Sequence, residues 1–258
     1  MNRTTAFVGA TGGAGTTRLC VETAAMLSHV GRDVVILDAA FATQGLARHV
    51  SGRIDTDITV LLTEDSDFDD ALLDHPVETA GRLALCPSYA PFERFARAKT
   101  ADAAEAFESL VERAATEFDH VVVDTPPVAA NQAVAAVTAV ESVAVVAPAS
   151  RHGTDAVQGM RGRLADLGTN VDVVLANRAD EGHPLGEAIG IPTSGETTAE
   201  SVPASVPELD TSFSPAIVAA VEATFDVSLD VEFPEGRFAD IDPNEYLPQN
   251  YLPKSLRN

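Results

Sequence analysis

Four short apolar runs constrain this chain most: Thr5-Ala6-Phe7-Val8, Val34-Val35-Ile36-Leu37, Val121-Val122-Val123 and Val143-Ala144-Val145-Val146. Each is continuous rather than alternating, the pattern of a strand covered on both faces, and such strands belong to parallel sheets. Helical stretches lie among them. Thr17 to His29 places Cys20, Thr23, Ala24 and Leu27 on one face and is ended by Gly31; Ala101 to Phe118 and Thr154 to Leu167 follow. Leu83-Ala84-Leu85, stopped by Pro87, and Val171 to Leu175 read as two further strands, and Ser214 to Phe225 as a last helix. This alternation predicts a doubly wound α/β domain, a mostly parallel sheet with helices on both faces. Ligands bind such sheets at the carboxyl ends of the strands, so the residues just after each strand are the ones to inspect.

The 258 residues suit one domain over 1–229 with a tail over 230–258. The tail carries Pro234, Pro243, Pro248, Pro253, Tyr246 and Tyr251 and reads as extended or disordered. Formal net charge is −22, from 39 acids against 17 bases, and the only lysines are Lys99 and Lys254. The acids are spread along the chain, as in proteins that stay soluble in high salt through an acidic surface. That balance argues against sequence-independent nucleic-acid binding, which needs clustered Lys and Arg. In molar salt the Debye length is about 3 Å, so a local basic patch still acts at contact range. No apolar run approaches the roughly 18 residues that span a bilayer. The N-terminus lacks a signal-peptide pattern, and Cys20 and Cys86 make no disulfide framework, so a cytoplasmic protein is expected. The six histidines show no metal spacing and read as surface or loop residues.

The first strand runs into Gly9-Ala10-Thr11-Gly12-Gly13-Ala14-Gly15-Thr16-Thr17-Arg18 and then a helix. Glycines let the backbone turn its N–H groups inward, and the helix N-terminus adds a positive end, so the segment suits a phosphate. Two families share such a loop. Gly9-Ala10-Thr11-Gly12, with Asp38 ending the second strand, resembles a dinucleotide-binding start. The short-chain dehydrogenases that begin this way place a Tyr four residues before a Lys. Phe95 precedes Lys99 and Asn250 precedes Lys254 at that spacing, so reductase chemistry has no support.

The second resemblance covers residues 4 to 225. Thr11-Gly12-Gly13-Ala14-Gly15-Thr16-Thr17-Arg18 falls in the register of the deviant Walker A loop, Lys-Gly-Gly-x-Gly-Lys-Thr-Thr, of the MinD/ParA family of P-loop NTPases. Val34 to Asp38, with Gln44-Gly45-Leu46, resembles that family's second strand and switch I. Val121-Val122-Val123-Asp124-Thr125-Pro126-Pro127 resembles its Walker B-like strand. Asn177-Arg178 resembles its adenine-contacting pair, Gly190-Ile191-Pro192 its late turn, and Phe213 to Phe225 its final helix.

The resemblance implies ATP or ADP with Mg²⁺ as cofactor. It assigns the phosphate cradle to Gly12, Gly13, Ala14, Gly15, Thr16, Thr17 and Arg18, metal ligation or water-holding to Thr17, Asp38 and Asp124, and the adenine to Asn177 and Arg178. Taken singly, Thr17 equally suits a helix start, Asp38 a cap and Asn177 a turn. The resemblance further implies a homodimer that docks a protein partner and positions or partitions cellular cargo. The membrane-targeting helix that ends MinD proteins has no counterpart in the Pro/Tyr tail.

Three family positions are changed. Thr16 replaces the P-loop lysine, Thr11 the lysine that reaches the partner subunit's nucleotide, and Ala40 the acid associated with the attacking water. A cation about 4 Å from a phosphate, at an effective dielectric near 20, contributes about 4 kcal/mol before screening, roughly three decades in rate or affinity. Arg18 and Arg151 are the candidate replacements. The expectation is therefore a nucleotide-binding protein with weak or lost hydrolysis. The alternatives are a nucleotide-free scaffold and an active ATPase using a substitute arginine.

Overall fold

The apolar runs form the centre of an eight-stranded sheet in the computed structural model, which describes residues 3–180, 182–196, 198–206, 209 and 213–233. In chain order the elements are β1 (Thr4–Gly9), α1 (Thr16–His29), β2 (Val34–Asp38), α2 (Ile58–Thr63), β3 (Leu73–Asp74), β4 (Leu83–Cys86), α3 (Phe92–Arg97), α4 (Ala101–Glu117), β5 (His120–Thr125), α5 (Asn131–Thr138), β6 (Ser142–Pro148), α6 (Arg151–Asp166), β7 (Val173–Asn177), β8 (Ile189–Ile191) and α7 (Phe213–Phe225). The sheet order is β3-β4-β2-β5-β1-β6-β7-β8, parallel throughout except for β3, which pairs antiparallel with β4. This is the doubly wound sheet that the alternation predicts.

Side chains alternate across a strand, and the two faces carry separate cores. Ala6, Val8, Val35, Leu37, Val121 and Val123 pack with α4, α5 and α6. Phe7, Val34, Ile36 and Val122 pack with α1 and α7 on the other face. α1 is buried from Leu19 to Ser28, beyond the one face its spacing shows, because it lies between the sheet and α7. Its charged residue in that span, Glu22, is fully buried.

Several expected boundaries shift. α6 begins at Arg151 rather than Thr154, because the Ser150 side chain accepts the Gly153 N–H and starts the helix early. The strand expected at Val171 begins at Val173, because the Asp172 carboxylate accepts the Val143 N–H where ladder pairing would otherwise continue. Gly190-Ile191, expected in a turn, belongs to edge strand β8. His120, expected at the surface, is fully buried at the start of β5 and meets Phe225 edge-on at 5.1 Å between centroids. The tail is expected from Asp230; Val231 is buried and Phe233 packs on the same core, while 234–258 lie outside the described residues.

Candidate functional site

β1 and α1 are joined by the loop 10–15, in which Gly13 and Gly15 take φ of 74° and 90°. At Gly15 a side chain is excluded twice over. The left-handed backbone disfavours one, and a Cβ would stand 2.1 Å from Asn177 Nδ2. Gly15 caps α1 without a side-chain hydrogen bond, and the first turn contains no acid. The first-turn N–H groups therefore lack a side-chain acceptor, and the positive helix end favours an anion.

Beneath the loop, β2 and β5 run side by side with Asp38 opposite Asp124 in register. Thr17 Oγ1 donates to Asp124 Oδ2 at 2.6 Å. Asp38 accepts the backbone N–H of Ala40 at 2.8 Å and of Ser88 at 3.1 Å. Both carboxyls are pushed up from their ordinary value of 3.8. Burial is the main cause for each; the charge of Asp124 adds to it at Asp38, and the Thr17 hydroxyl opposes it at Asp124. Two buried carboxylates and a hydroxyl form a hard-oxygen set that fits Mg²⁺, which keeps several waters and takes few protein ligands. A divalent cation would oppose both upward shifts by favouring the ionised carboxylates. Among the described residues no group of three His, Cys, Asp or Glu side chains could cage a metal unaided.

The loop and these strand ends line an open cleft of about 510 Å³. Its walls include Thr11, Thr16, Thr17 and Ala40, so all three changed family positions face one space. Asn177 uses both polar groups locally: Nδ2 donates to the Ala14 carbonyl at 2.8 Å, and Oδ1 accepts the Arg178 N–H at 3.0 Å. It ties β7 to the loop, and Arg178, at φ 57°, is the member of the pair on the cleft wall. Arg18 borders the cleft, but its guanidinium is engaged elsewhere. It donates to Glu22 Oε1 at 3.1 Å, to Ser194 Oγ at 2.6 Å and to the Glu196 carbonyl, and lies over the Phe213 ring. Arg151 is exposed on α6 and is not among the residues lining the cleft.

Three parts of the site escape the sequence reading. A 3₁₀ turn, Leu46–His49, brings Arg48 and His49 to the wall. The Gln44-Gly45-Leu46 signal stops just short of them. Burial first, then His75 and nearby arginines, lowers His49 to about 4, so the ring is neutral at ordinary pH. Thr198, Ala199 and Val202 wall the mouth from a strap following β8. Glu22 holds that strap by accepting the N–H groups of Ala204 and Ser205 at 3.0 Å. An acid inside an apolar helix, four residues after an arginine, was the available signal.

The comparisons agree with this architecture. A family model described as an AAA domain, AAA_31, matches residues 2–173. No curated protein sequence matches the chain. Among solved structures, the cell division ATPase MinD of Pyrococcus furiosus superposes with a TM-score of 0.70 at 18% identity, over 86% of this chain and 98% of that one. MinD of Pyrococcus horikoshii OT3, solved with Mg-ADP, gives 0.62 at 18% over 75% and 82%. A ParA family ATPase of Chlorobium tepidum TLS gives 0.63 at 20% over 76% and 86%. At these identities the superpositions speak for the fold, and the family model covers most of the sheet. The chain belongs to the AAA_31 family of AAA domains and has the fold of the MinD/ParA P-loop NTPases.

Proposed function

We propose that this chain is a nucleotide-binding positioning or adaptor protein of the MinD/ParA type, whose output is dimerisation or partner docking and whose hydrolysis is weak or absent. One observation carries the reading: a single cleft combines an uncapped helix N-terminus with the oxygens of Thr17 and Asp124, and has threonines where the lysines belong. The backbone cradle and the oxygen set support binding of ATP or ADP with Mg²⁺. Thr11, Thr16 and Ala40 remove the charge and the acid on which phosphoryl transfer depends. The acidic surface supports work in concentrated salt inside the cell.

The test is equilibrium binding of ATP and ADP in molar KCl, with and without Mg²⁺, alongside a phosphate-release assay. Mg²⁺-dependent binding without turnover is the expected result. Turnover at the rate of lysine-bearing family members, with no partner present, refutes weak hydrolysis. A scaffold that keeps only the fold is the second reading, favoured by the Thr17–Asp124 hydrogen bond, which satisfies these two groups with each other. Absence of nucleotide binding would establish it.

A further inference from the structure

We infer that Arg48 supplies, from the 3₁₀ turn after β2, the positive charge toward a nucleotide's phosphates that Thr11 and Thr16 cannot. The inference rests on the nucleotide-binding reading and adds a residue to it. The first support is charge. In a chain of net charge −22, the cleft is lined by Arg48 and Arg178, and by Arg18 already tied to Glu22, against one carboxylate, Asp124. A basic cleft in an acidic protein is where an anion is held, and at contact range it acts even in concentrated salt.

The second support is availability. Arg18 is held by buried Glu22 on α1. Arg94 and Arg97 are held by Asp57 and Glu64. Of the three cleft arginines, Arg48 and Arg178 have no ion pair among the described residues. An exposed guanidinium left unpaired on a cleft wall is free for a ligand. Its five donors match phosphate geometry.

The third support is placement. The turn is packed directly on the first turn of α1: a Cβ at Gly45 would stand 2.9 Å from Thr17 Oγ1. Only a glycine allows that approach, and it puts Arg48 three residues from the contact. Leu46 is fully buried and anchors the turn, and the Arg48 N–H donates to the Gly45 carbonyl at 3.2 Å. Arg48 follows β2 and Arg178 follows β7, strands on opposite sides of β1, so the two residues line the cleft from either side of the loop that β1 carries.

The experiment titrates the full chain, in molar KCl with Mg²⁺, with ATP, ADP and adenosine. The parent is compared with Arg48→Ala, Arg48→Lys and Arg53→Ala; Arg53 is exposed, paired with Asp55 and off the cleft. A charge-assisted phosphate contact corresponds to about tenfold to a hundredfold in affinity. Arg48→Ala should therefore weaken ATP at least about tenfold, ADP less and adenosine not at all. Arg48→Lys should recover part of the loss, Arg53→Ala should match the parent, and all variants should melt together. ATP affinity in Arg48→Ala within about twofold of the parent, or equal losses for ATP and adenosine, overturns the assignment of Arg48 alone. A parent chain that binds no ATP overturns the nucleotide reading and this inference with it.

Discussion

At the scale of single residues, the site is a balance between two carboxyls that repel and a loop that wants an anion. Burial, with Asp124 second, raises Asp38 to about 8, whereas an unfolded Asp titrates near 3.8. Between those values the folded chain holds a proton that the unfolded chain has released. Its stability therefore falls as pH rises from about 4 toward about 8. The Tm of the metal-free protein, followed by circular dichroism, should show that decline, and Mg²⁺ should reverse it most at the upper end. Asp124→Asn removes the like charge while its amide can still pair with Thr17. It should flatten the profile and raise the metal-free Tm at pH 8 by a few degrees, while abolishing Mg²⁺ dependence of nucleotide binding. Gly15→Ala should cost more than the roughly 1–2 kcal/mol of a left-handed alanine, since its Cβ also displaces Asn177; urea denaturation measures it. Thr17, Asp124 and Arg178 could be placed from their motifs. Arg48 could not, because it lies beyond any motif and gains meaning only from the Gly45–Thr17 contact. The role of Asn177 as a tie was equally hidden: its carbonyl partner, Ala14, is remote in sequence.

At the scale of elements, α1 does two jobs with its N-terminal half. Its first turn faces the cleft, and Arg18 in that turn, with Glu22 one turn on, clamps the strap that walls the cleft's mouth. Removing Glu22 leaves two strap N–H groups without their acceptor and the Arg18 guanidinium without its carboxylate partner. Glu22→Ala should therefore cost about 3–5 kcal/mol. Arg18→Ala leaves Glu22 its two backbone donors and should cost clearly less, about 1–2 kcal/mol. Denaturant midpoints rank the two, and limited proteolysis should cut Glu22→Ala within 194–206 first. The central strands were legible because burial on both faces leaves an unbroken apolar run. The short elements α2, α3 and β3 were not. Six residues or fewer hold no period to detect, and the Asp57 cap of α2 is paired with Arg94 of α3, a contact only the fold creates. Where β7 and α6 differ from expectation, a single side chain, Asp172 or Ser150, moved the boundary.

At the scale of the whole molecule, 39 acids against 17 bases make self-repulsion a large term, and salt relieves it. The Tm should rise by several degrees or more as KCl goes from about 0.1 M to about 2 M, a shift that differential scanning calorimetry resolves. The dominant charge was legible from composition, whereas its local inversion in the cleft was not, since Arg18, Arg48 and Arg178 meet only in three dimensions. The position of β1 has a further consequence. It is made before the other strands of this sheet, yet both its neighbours, β5 and β6, lie more than a hundred residues further along the chain: Thr4 pairs with Val121 and Thr5 with Ser142. During synthesis its apolar run waits without a partner while the segments between are made. The glycine-rich loop it carries has no cleft around it until Asp124 and then Arg178 are made. Nascent chains released before that point would expose the apolar run of β1 with neither neighbouring strand to cover it.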